Sequence, residues 1–125
     1  MKYYHVWFQT KAKKFILIDE IDLRVHQLFK LIADEKGYLL VASGSLPVHV
    51  HILLGLNDDQ DISVAVKNIK GITARRIFLE YNMLKCQLRV KNLWARRFAW
   101  KNIPEDRLEM VTDYVNKQKK DLYIV

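Results

Sequence analysis

The sequence predicts an α+β fold, a ferredoxin-like antiparallel sheet with helices packed on one face. Strand-like and helix-like segments follow in the order β-α-β-β-α-β-α, and a short turn joins the second and third strands, which favours a hairpin over a crossover. The chain has 125 residues, of which 50% are hydrophobic, so it can bury a core without disulfides. Because no linker or repeat divides the sequence, we expect one domain over residues 1–125.

Three strands and a helix are predicted in the first half of the chain. Aromatic and β-branched residues indicate the first strand, and apolar residues at helical spacing follow Asp22, which we expect to cap the first helix. Gly37 suits the end of that helix. The predicted segments are a strand over residues 3–10, a basic connection over 11–14, a helix over 22–36, strands over 38–42 and 48–55, and a turn over 43–47 between them.

Two helices and a fourth strand are predicted in the second half. Asp61 is expected to cap a helix that runs to about residue 82. Alternating aromatic and basic residues predict a strand over 94–103, and Pro104 suits the first turn of a last helix that runs to about residue 119. The apolar residues that these helices are expected to bury are Ile62, Ala65, Val66, Ile69, Ile72, Ile77, Phe78, Leu108, Val111, Val115 and Leu122.

The charge balance indicates a polyanionic partner, since 21 Lys and Arg against 14 Asp and Glu give a net charge of +7. The single cysteine, Cys86, excludes an internal disulfide framework and a cysteine-only zinc site, and favours a reducing, cytoplasmic compartment. Residues 37–57 contain no charged side chain, but Pro47 and two histidines interrupt the stretch. We therefore expect two strands there and no membrane span.

Two histidines in the third predicted strand form a candidate metal site. Side chains alternate along a strand, so His49 and His51 share one face while Val50 and Ile52 share the other. Neutral imidazole is a common metal ligand, and two of them on one face can converge on one ion. A half-exposed strand that happens to contain two histidines is the alternative interpretation of the same pattern.

The last predicted helix carries a candidate nucleophile. Tyr114 and Gln118 are four residues apart, so they lie on one face of the helix at the edge of its apolar stripe. A tyrosine there can present its hydroxyl at a cleft, and tyrosine oxygen acts as a nucleophile in covalent catalysis. The alternative is an ordinary amphipathic tyrosine beside a surface glutamine.

The fourth predicted strand combines aromatic and basic side chains. Trp94, Phe98 and Trp100 share one face with Arg96, a pattern typical of proteins that stack the bases of single strands. A core-facing aromatic row with solvated charges is the alternative. With the basic residues of the preceding helix, the candidate DNA contacts are Lys67, Lys70, Arg75, Arg76, Arg96 and Arg97.

These pieces together resemble a known family. Residues 47–54, Pro-Val-His-Val-His-Ile-Leu-Leu, resemble the His-hydrophobe-His motif of HUH endonucleases. The surrounding segments resemble the single-tyrosine transposases of small insertion sequences over nearly the whole chain. In the order of that family, the matching segments are the first strand at residues 4–7, the central helix at 70–76, the strand at 93–98 before the catalytic helix, and the Tyr-x-x-x-Gln end at 114–118.

The resemblance implies an enzyme that cuts and rejoins single-stranded DNA near hairpins at the ends of a mobile element. Tyr114 would attack the phosphodiester and form a 5′-phosphotyrosine link. His49, His51 and Gln118 would hold a divalent ion, Mg²⁺ or Mn²⁺, which polarises the scissile phosphate. It also implies a homodimer in which the histidines of one subunit meet the tyrosine helix of the other.

Two other functions fit part of the sequence. A replication- or conjugation-type HUH nickase shares the motif and the tyrosine, although the small size of the chain and its single tyrosine helix disfavour it. A non-catalytic single-strand-binding module accounts for the aromatic residues of the fourth strand. It leaves the histidine pair, Tyr114 and Gln118 without a role.

Overall fold

The computed structural model describes residues 1–117. Its strands and helices are β1 Lys2–Thr10, α1 Asp19–Lys36, β2 Leu39–Leu46, β3 His49–Leu56, α2 Ile62–Glu80, α3 Leu84–Leu88, β4 Trp94–Ile103 and α4 Leu108–Asn116, with single 3₁₀ turns at Lys11–Lys13 and Glu105–Arg107. The strands form one sheet in the order β2-β3-β1-β4, and each neighbouring pair is antiparallel. This topology confirms the predicted ferredoxin-like α+β fold. Within residues 1–117 no helix has the length and apolar character needed to cross a membrane.

The two faces of the sheet carry different side chains because residues alternate along each strand. One face packs against α1 and α2 as predicted, and each aliphatic side chain buried there contributes about 1.5–3 kcal/mol. The opposite face carries His49 and His51, and it is partly covered by α4, whose Val115 packs with Leu53. The β3 side chains buried in the α1/α2 core are Val50, Ile52, Leu54 and Leu56.

Two of the predicted helix boundaries are confirmed by their capping geometry. Gly37 adopts a left-handed conformation with φ of 75° at the end of α1, which glycine tolerates without the Cβ penalty of other residues. At the start of α2, the Asp61 side chain accepts a hydrogen bond of 3.0 Å from the amide of Val64. These local interactions fix where the two long helices stop and start.

The first helix begins earlier than predicted. It starts at Asp19, after Ile18, so Asp22 lies inside its first turn and is not the N-cap. Asp22 is only 4% exposed and accepts a hydrogen bond from the Ser45 hydroxyl on β2. A short polar residue before an apolar run is typical of an N-cap. Here, however, the Asp22 carboxylate bonds to Ser45, which is distant in sequence.

The second strand is longer than predicted. Residues 43–46 were expected to form a turn, yet they continue β2, with Ser43 paired to Ile52 and Ser45 paired to Val50. The chain reverses over only residues 47 and 48. The serines fit a strand because both hydroxyls bond to the His26 ring on α1, at 2.7 and 2.8 Å.

The remaining differences concern the helices. The five-residue α3 was not predicted, because one turn leaves no periodic signal; Leu84 anchors it in the core. The α2 helix ends at Glu80 rather than near residue 82, and Thr73 is fully buried on its inner side. The predicted end of the last helix near residue 119 and the predicted burial of Leu122 lie outside the described residues.

The His26 network predicts a pH-dependent loss of stability. Burial lowers the pKa of His26 from its usual 6.5 to about 4, so the folded state favours the neutral ring. The Asp22 carboxylate, 3.4 Å from His26 Nε2, opposes this shift. The free energy of unfolding should therefore fall by at most about 3 kcal/mol as the pH drops from 6.5 towards 4. The free energy of unfolding, measured in urea between pH 7.5 and 4.5, should decline less in His26→Gln than in the wild type. Because all other titratable groups are the same in both proteins, equal declines would show that His26 is not the cause of the pH dependence.

Candidate active site

The predicted histidine pair lies on one face of β3. The rings of His49 and His51 are 5.2 Å apart between centroids and face the side of the sheet that α4 covers. This confirms the shared face that strand alternation predicts. Both rings therefore lie on the side opposite the α1/α2 core.

A third histidine joins this pair and was not assigned a role from the sequence. In the β1–β3 register, Trp7 lies opposite His51 and His5 opposite Leu53, so the His5 side chain is diagonal to His51 on the same face. The Nε2 atom of His5 lies 2.9 Å from the Nδ1 atom of His51, a hydrogen-bond distance. Alternation along β1 predicts which face of the strand His5 lies on. The pairing of β1 with β3, which brings His5 to His51, is known only from the structure.

The tyrosine of α4 lies over the histidines of the same chain. The Tyr114 ring centroid is 6.0 Å from that of His51 and 6.1 Å from that of His5, and the side chain is 55% exposed. Val115, the next residue, is fully buried and docks the helix on the sheet. The structure thus brings Tyr114 to His51 within one chain, and His49 lies beside His51. Gln118, the third predicted ligand, lies outside the described residues.

The three histidines are held in their neutral form. Burial lowers the pKa of His51 to about 4, with smaller contributions from His5 and His49, and burial also lowers the pKa of His49. The pKa of His5 is lowered by burial and then by the positive charge of Lys101. Neutral rings keep a nitrogen lone pair available for a metal ion at pH 7.

The neutral imidazoles of His49 and His51 form part of a ligand set that suits a divalent ion. The Nδ1 atom of His49 is buried and has no hydrogen-bond partner among residues 1–117. No cluster of three histidine, cysteine or carboxylate side chains suited to a metal occurs in this range. A divalent ion held by His49 and His51 would take its further ligands from outside residues 1–117 or from substrate oxygens.

Basic side chains line a cavity between α2 and the start of β4. Its volume is about 470 Å³, and the predicted residues Arg75 and Arg96 contribute to its wall. Lys11 and Lys91 also line it and were not predicted, because they come from loops distant in sequence. Of the other predicted contacts, Lys67 is exposed on α2, Arg76 pairs with Glu80 on the same helix, and Arg97 lines a second cavity beside Trp7.

The arginines of β4 lie on a bulge. Phe8 pairs with Phe98, but Thr10 pairs with Trp94, so residues 95–97 of β4 face a single residue of β1. Such a bulge bends its strand and redirects the side chains that it carries. Both Arg96 and Arg97 belong to this segment and are exposed.

Lys70, the remaining predicted contact, also lines the cavity between α2 and β4 and bonds to the backbone of β4. Its ammonium donates to the carbonyls of Ala95, Arg96 and Arg97 at 2.8, 3.3 and 3.4 Å, so its donors are used by backbone rather than left for phosphate. The ammonium also lies 5.3 Å from the centroids of the Phe8 and Phe98 rings. Lys70 therefore holds the bulge that presents the arginines.

The aromatic row of β4 divides between core and surface. Trp94 is 6% exposed and packs edge-on against Phe8 with 4.8 Å between centroids, so it belongs to the core. Phe98 is partly buried against the same core. Trp100 is 44% exposed and contacts Tyr4, which leaves it as the accessible aromatic of the predicted row.

Comparison with known proteins agrees with this arrangement. A family model described as "Transposase IS200 like" matches residues 1–118. The ISDra2 transposase TnpA of Deinococcus radiodurans is 30% identical over 115 residues, which cover 92% of this chain and 82% of that protein. The transposase for insertion sequence element IS200 of Salmonella typhimurium is 19% identical over 118 residues, which cover 94% and 77%.

Solved structures share the fold. A candidate transposase from Deinococcus radiodurans R1 superimposes with a TM-score of 0.77 at 31% identity, over 94% of this chain and 92% of the other. A REP-associated tyrosine transposase bound to a REP hairpin superimposes with a TM-score of 0.69 at 17% identity, over 99% and 70%. The family match over residues 1–118 and the sequence identity to TnpA show that the chain belongs to the IS200-like family of DNA transposases.

Proposed function

We propose that the protein cuts and rejoins single-stranded DNA through a covalent link to Tyr114. The observation that carries the proposal is the position of the Tyr114 ring, 6.0 Å from the His51 ring and largely open to solvent. A nucleophile for a DNA strand must be accessible, and it must lie beside groups that stabilise the charge of the phosphate in the transition state.

In the proposed reaction, the Tyr114 oxygen forms a bond to the scissile phosphorus and the phosphorus–O3′ bond breaks. The phenol loses its proton, the released 3′-oxygen gains one, and the 5′-phosphate remains on the tyrosine. Attack by a 3′-hydroxyl on this link reverses the step and joins two strands. No external energy source is needed, because the phosphotyrosine retains the phosphodiester bond.

We infer that His49, His51 and Gln118 hold a divalent ion, Mg²⁺ or Mn²⁺, at this site. The ion would supply positive charge to the non-bridging oxygens of the phosphate. The support for the histidines is their neutral state and shared face, together with the buried Nδ1 atom of His49. Gln118 is assigned from the Tyr-x-x-x-Gln spacing of the family, four residues after Tyr114.

We infer that the DNA substrate carries a hairpin. The REP-associated transposase with the same fold is bound to a REP hairpin. In this chain, Arg75, Arg96, Lys11 and Lys91 line the 470 Å³ cavity and offer positive charge to a DNA backbone, with Lys67, Arg76 and Arg97 as outer contacts. Lys70 supports this surface by holding the bulge of β4.

The direct test is covalent trapping. Single-stranded oligonucleotides taken from the gene's flanking sequences, chosen where those sequences can form hairpins, should yield a denaturation-resistant protein–DNA adduct in the presence of Mn²⁺, and none after chelation. A purely DNA-binding module would shift the oligonucleotide in a native gel but form no adduct.

We further propose that the protein is a homodimer and that it acts in the cytoplasm. A cytoplasmic location fits the DNA substrate and the free, exposed thiol of Cys86. Within one chain, α4 packs on its own sheet, so the geometry supports a site assembled in each subunit. Mixing Tyr114→Phe with His51→Ala distinguishes the arrangements after subunit exchange. Cleavage recovers only if the histidines of one subunit act with the tyrosine of the other, as the family resemblance implies.

The salt dependence of DNA binding tests the basic surface. Each phosphate contact on a single strand contributes about 0.7 to the slope of log affinity against log salt, because bound counterions are released. We expect Arg96→Ala to reduce this slope by roughly one such unit. Lys30→Ala removes the same charge from α1, where Lys30 pairs with Asp34, and should leave the slope unchanged. Equal effects of both variants would show that net charge, rather than this surface, determines binding.

A further inference from the structure

We propose that His5 is a positioning residue for His51: its Nε2 accepts the Nδ1 proton of His51, which leaves the Nε2 of His51 as the metal-ligating atom. This inference rests on the proposed function, since it assigns a task to a side chain beside the proposed metal ligands. The His5 ring lies 2.9 Å from His51 through these nitrogens.

The strand pairing holds the two rings in this relation. His5 lies at the centre of β1, between β3 and β4, and the antiparallel register places it diagonally across from His51. Trp7 lies two residues after His5 on the same face of β1, and the centroids of the two rings are 5.1 Å apart. The Tyr114 ring packs edge-on to both imidazoles. His5 is therefore held by a central strand and by aromatic neighbours.

The hydrogen bond admits only two proton arrangements. A nitrogen–nitrogen hydrogen bond needs one donor and one acceptor, so the contact between His5 Nε2 and His51 Nδ1 contains a single proton. If His5 donates, neutral His51 carries its own proton on Nε2, and neither of its nitrogens has a free lone pair. If His51 donates from Nδ1, its Nε2 is free to bind a metal.

Only the second arrangement is compatible with His51 as a ligand in the observed geometry. Metal-bound histidines usually donate the other ring N–H to a nearby acceptor, which fixes the tautomer and orients the ring. Carboxylates and carbonyls are the common acceptors, and here the neutral imidazole of His5 takes that place. The arrangement also explains why His5 is no ligand itself, because its Nε2 lone pair is used by His51.

The proton position can be observed without metal or DNA. Long-range proton–nitrogen NMR correlations on the nitrogen-15-labelled, metal-free protein at pH 7.5 report which nitrogen of His51 carries the proton. We expect Nδ1 in the wild type. His5→Gln places an amide oxygen near the position of Nε2 and should retain this tautomer, whereas His5→Leu removes the acceptor and should increase the fraction protonated on Nε2.

Mn²⁺ binding provides the second measurement. We expect His5→Leu to weaken the binding of Mn²⁺ alone by roughly 10- to 100-fold and His5→Gln to stay close to the wild type. A wild-type His51 protonated on Nε2, or equal Mn²⁺ affinities for all three proteins, would overturn the inference while leaving the metal site intact. If the wild type binds no Mn²⁺, the metal role in the proposed function fails, and the ligating-atom assignment fails with it.

Discussion

Tyr114→Phe should form no covalent adduct with single-stranded DNA and should bind the same DNA with nearly unchanged affinity. The substitution removes one oxygen atom from a side chain that is 55% exposed, so neither the core nor the basic cavity changes. Loss of the only nucleophile of a covalent pathway eliminates the adduct rather than slowing its formation. Adduct formation is measured by denaturing gel, and affinity by fluorescence anisotropy.

Tyr81→Phe is the matched control for this loss. The Tyr81 hydroxyl donates to Glu20 at 3.2 Å, at the junction of α2 with α1, and the residue is remote from the histidine face. We expect it to form the adduct at the wild-type level. Persistence of the adduct in Tyr114→Phe would transfer the nucleophilic role to another tyrosine. Tyr123, which lies outside the described residues, would then be replaced first.

Removal of either histidine should eliminate most of the metal-dependent cleavage. We expect His49→Ala and His51→Ala each to lower the cleavage rate by at least about 100-fold at limiting Mn²⁺, since a metal ion supplies several kcal/mol of charge stabilisation. Gln118→Ala should be milder, because the two imidazoles remain. Initial rates across a Mn²⁺ titration measure the effect, and wild-type rates in both histidine variants would contradict the assigned ligands.

His26→Ala is the informative comparison for the histidine variants. Its ring lies between α1 and β2, bonded to Ser43 and Ser45, on the other side of the sheet from the proposed site. We expect it to lower the free energy of unfolding and to leave Mn²⁺ binding by the folded protein unchanged. His49→Ala and His51→Ala should show the reverse pattern, because their face lies opposite the α1/α2 core.

Local patterns predicted much of the fold because the controlling interactions were close in sequence. Asp61 reaches an amide three residues away, and Gly37 ends the helix that precedes it. Strand alternation alone put His49 and His51 on one face. The prediction of Asp22 as an N-cap was wrong because its partner, Ser45, comes from another element.

The parts of the site that the sequence did not predict depend on register. The contact between His5 and His51 joins residues 46 apart in the chain, and it exists only in one alignment of β1 with β3. Lys70 similarly reaches the carbonyls of a bulge 25 to 27 residues further along. A one-residue slip in strand pairing would reverse which side chains face one another, and composition does not specify that alignment.

Few buried side chains hold the described part of α4 on the sheet, which predicts that α4 detaches more readily than the central strands unfold. Among its described residues only Val115 is fully buried, with Leu108 and Val111 partly covered, whereas β1 and β3 run through the middle of the sheet. Burial of one valine is worth about 1.5–3 kcal/mol, well below the usual stability of a whole domain. Amide hydrogens of α4 should therefore exchange with deuterium through local detachment, long before those of the central strands. The fraction of molecules with Tyr114 docked over His5 and His51 would then be set by this detachment and not by global unfolding.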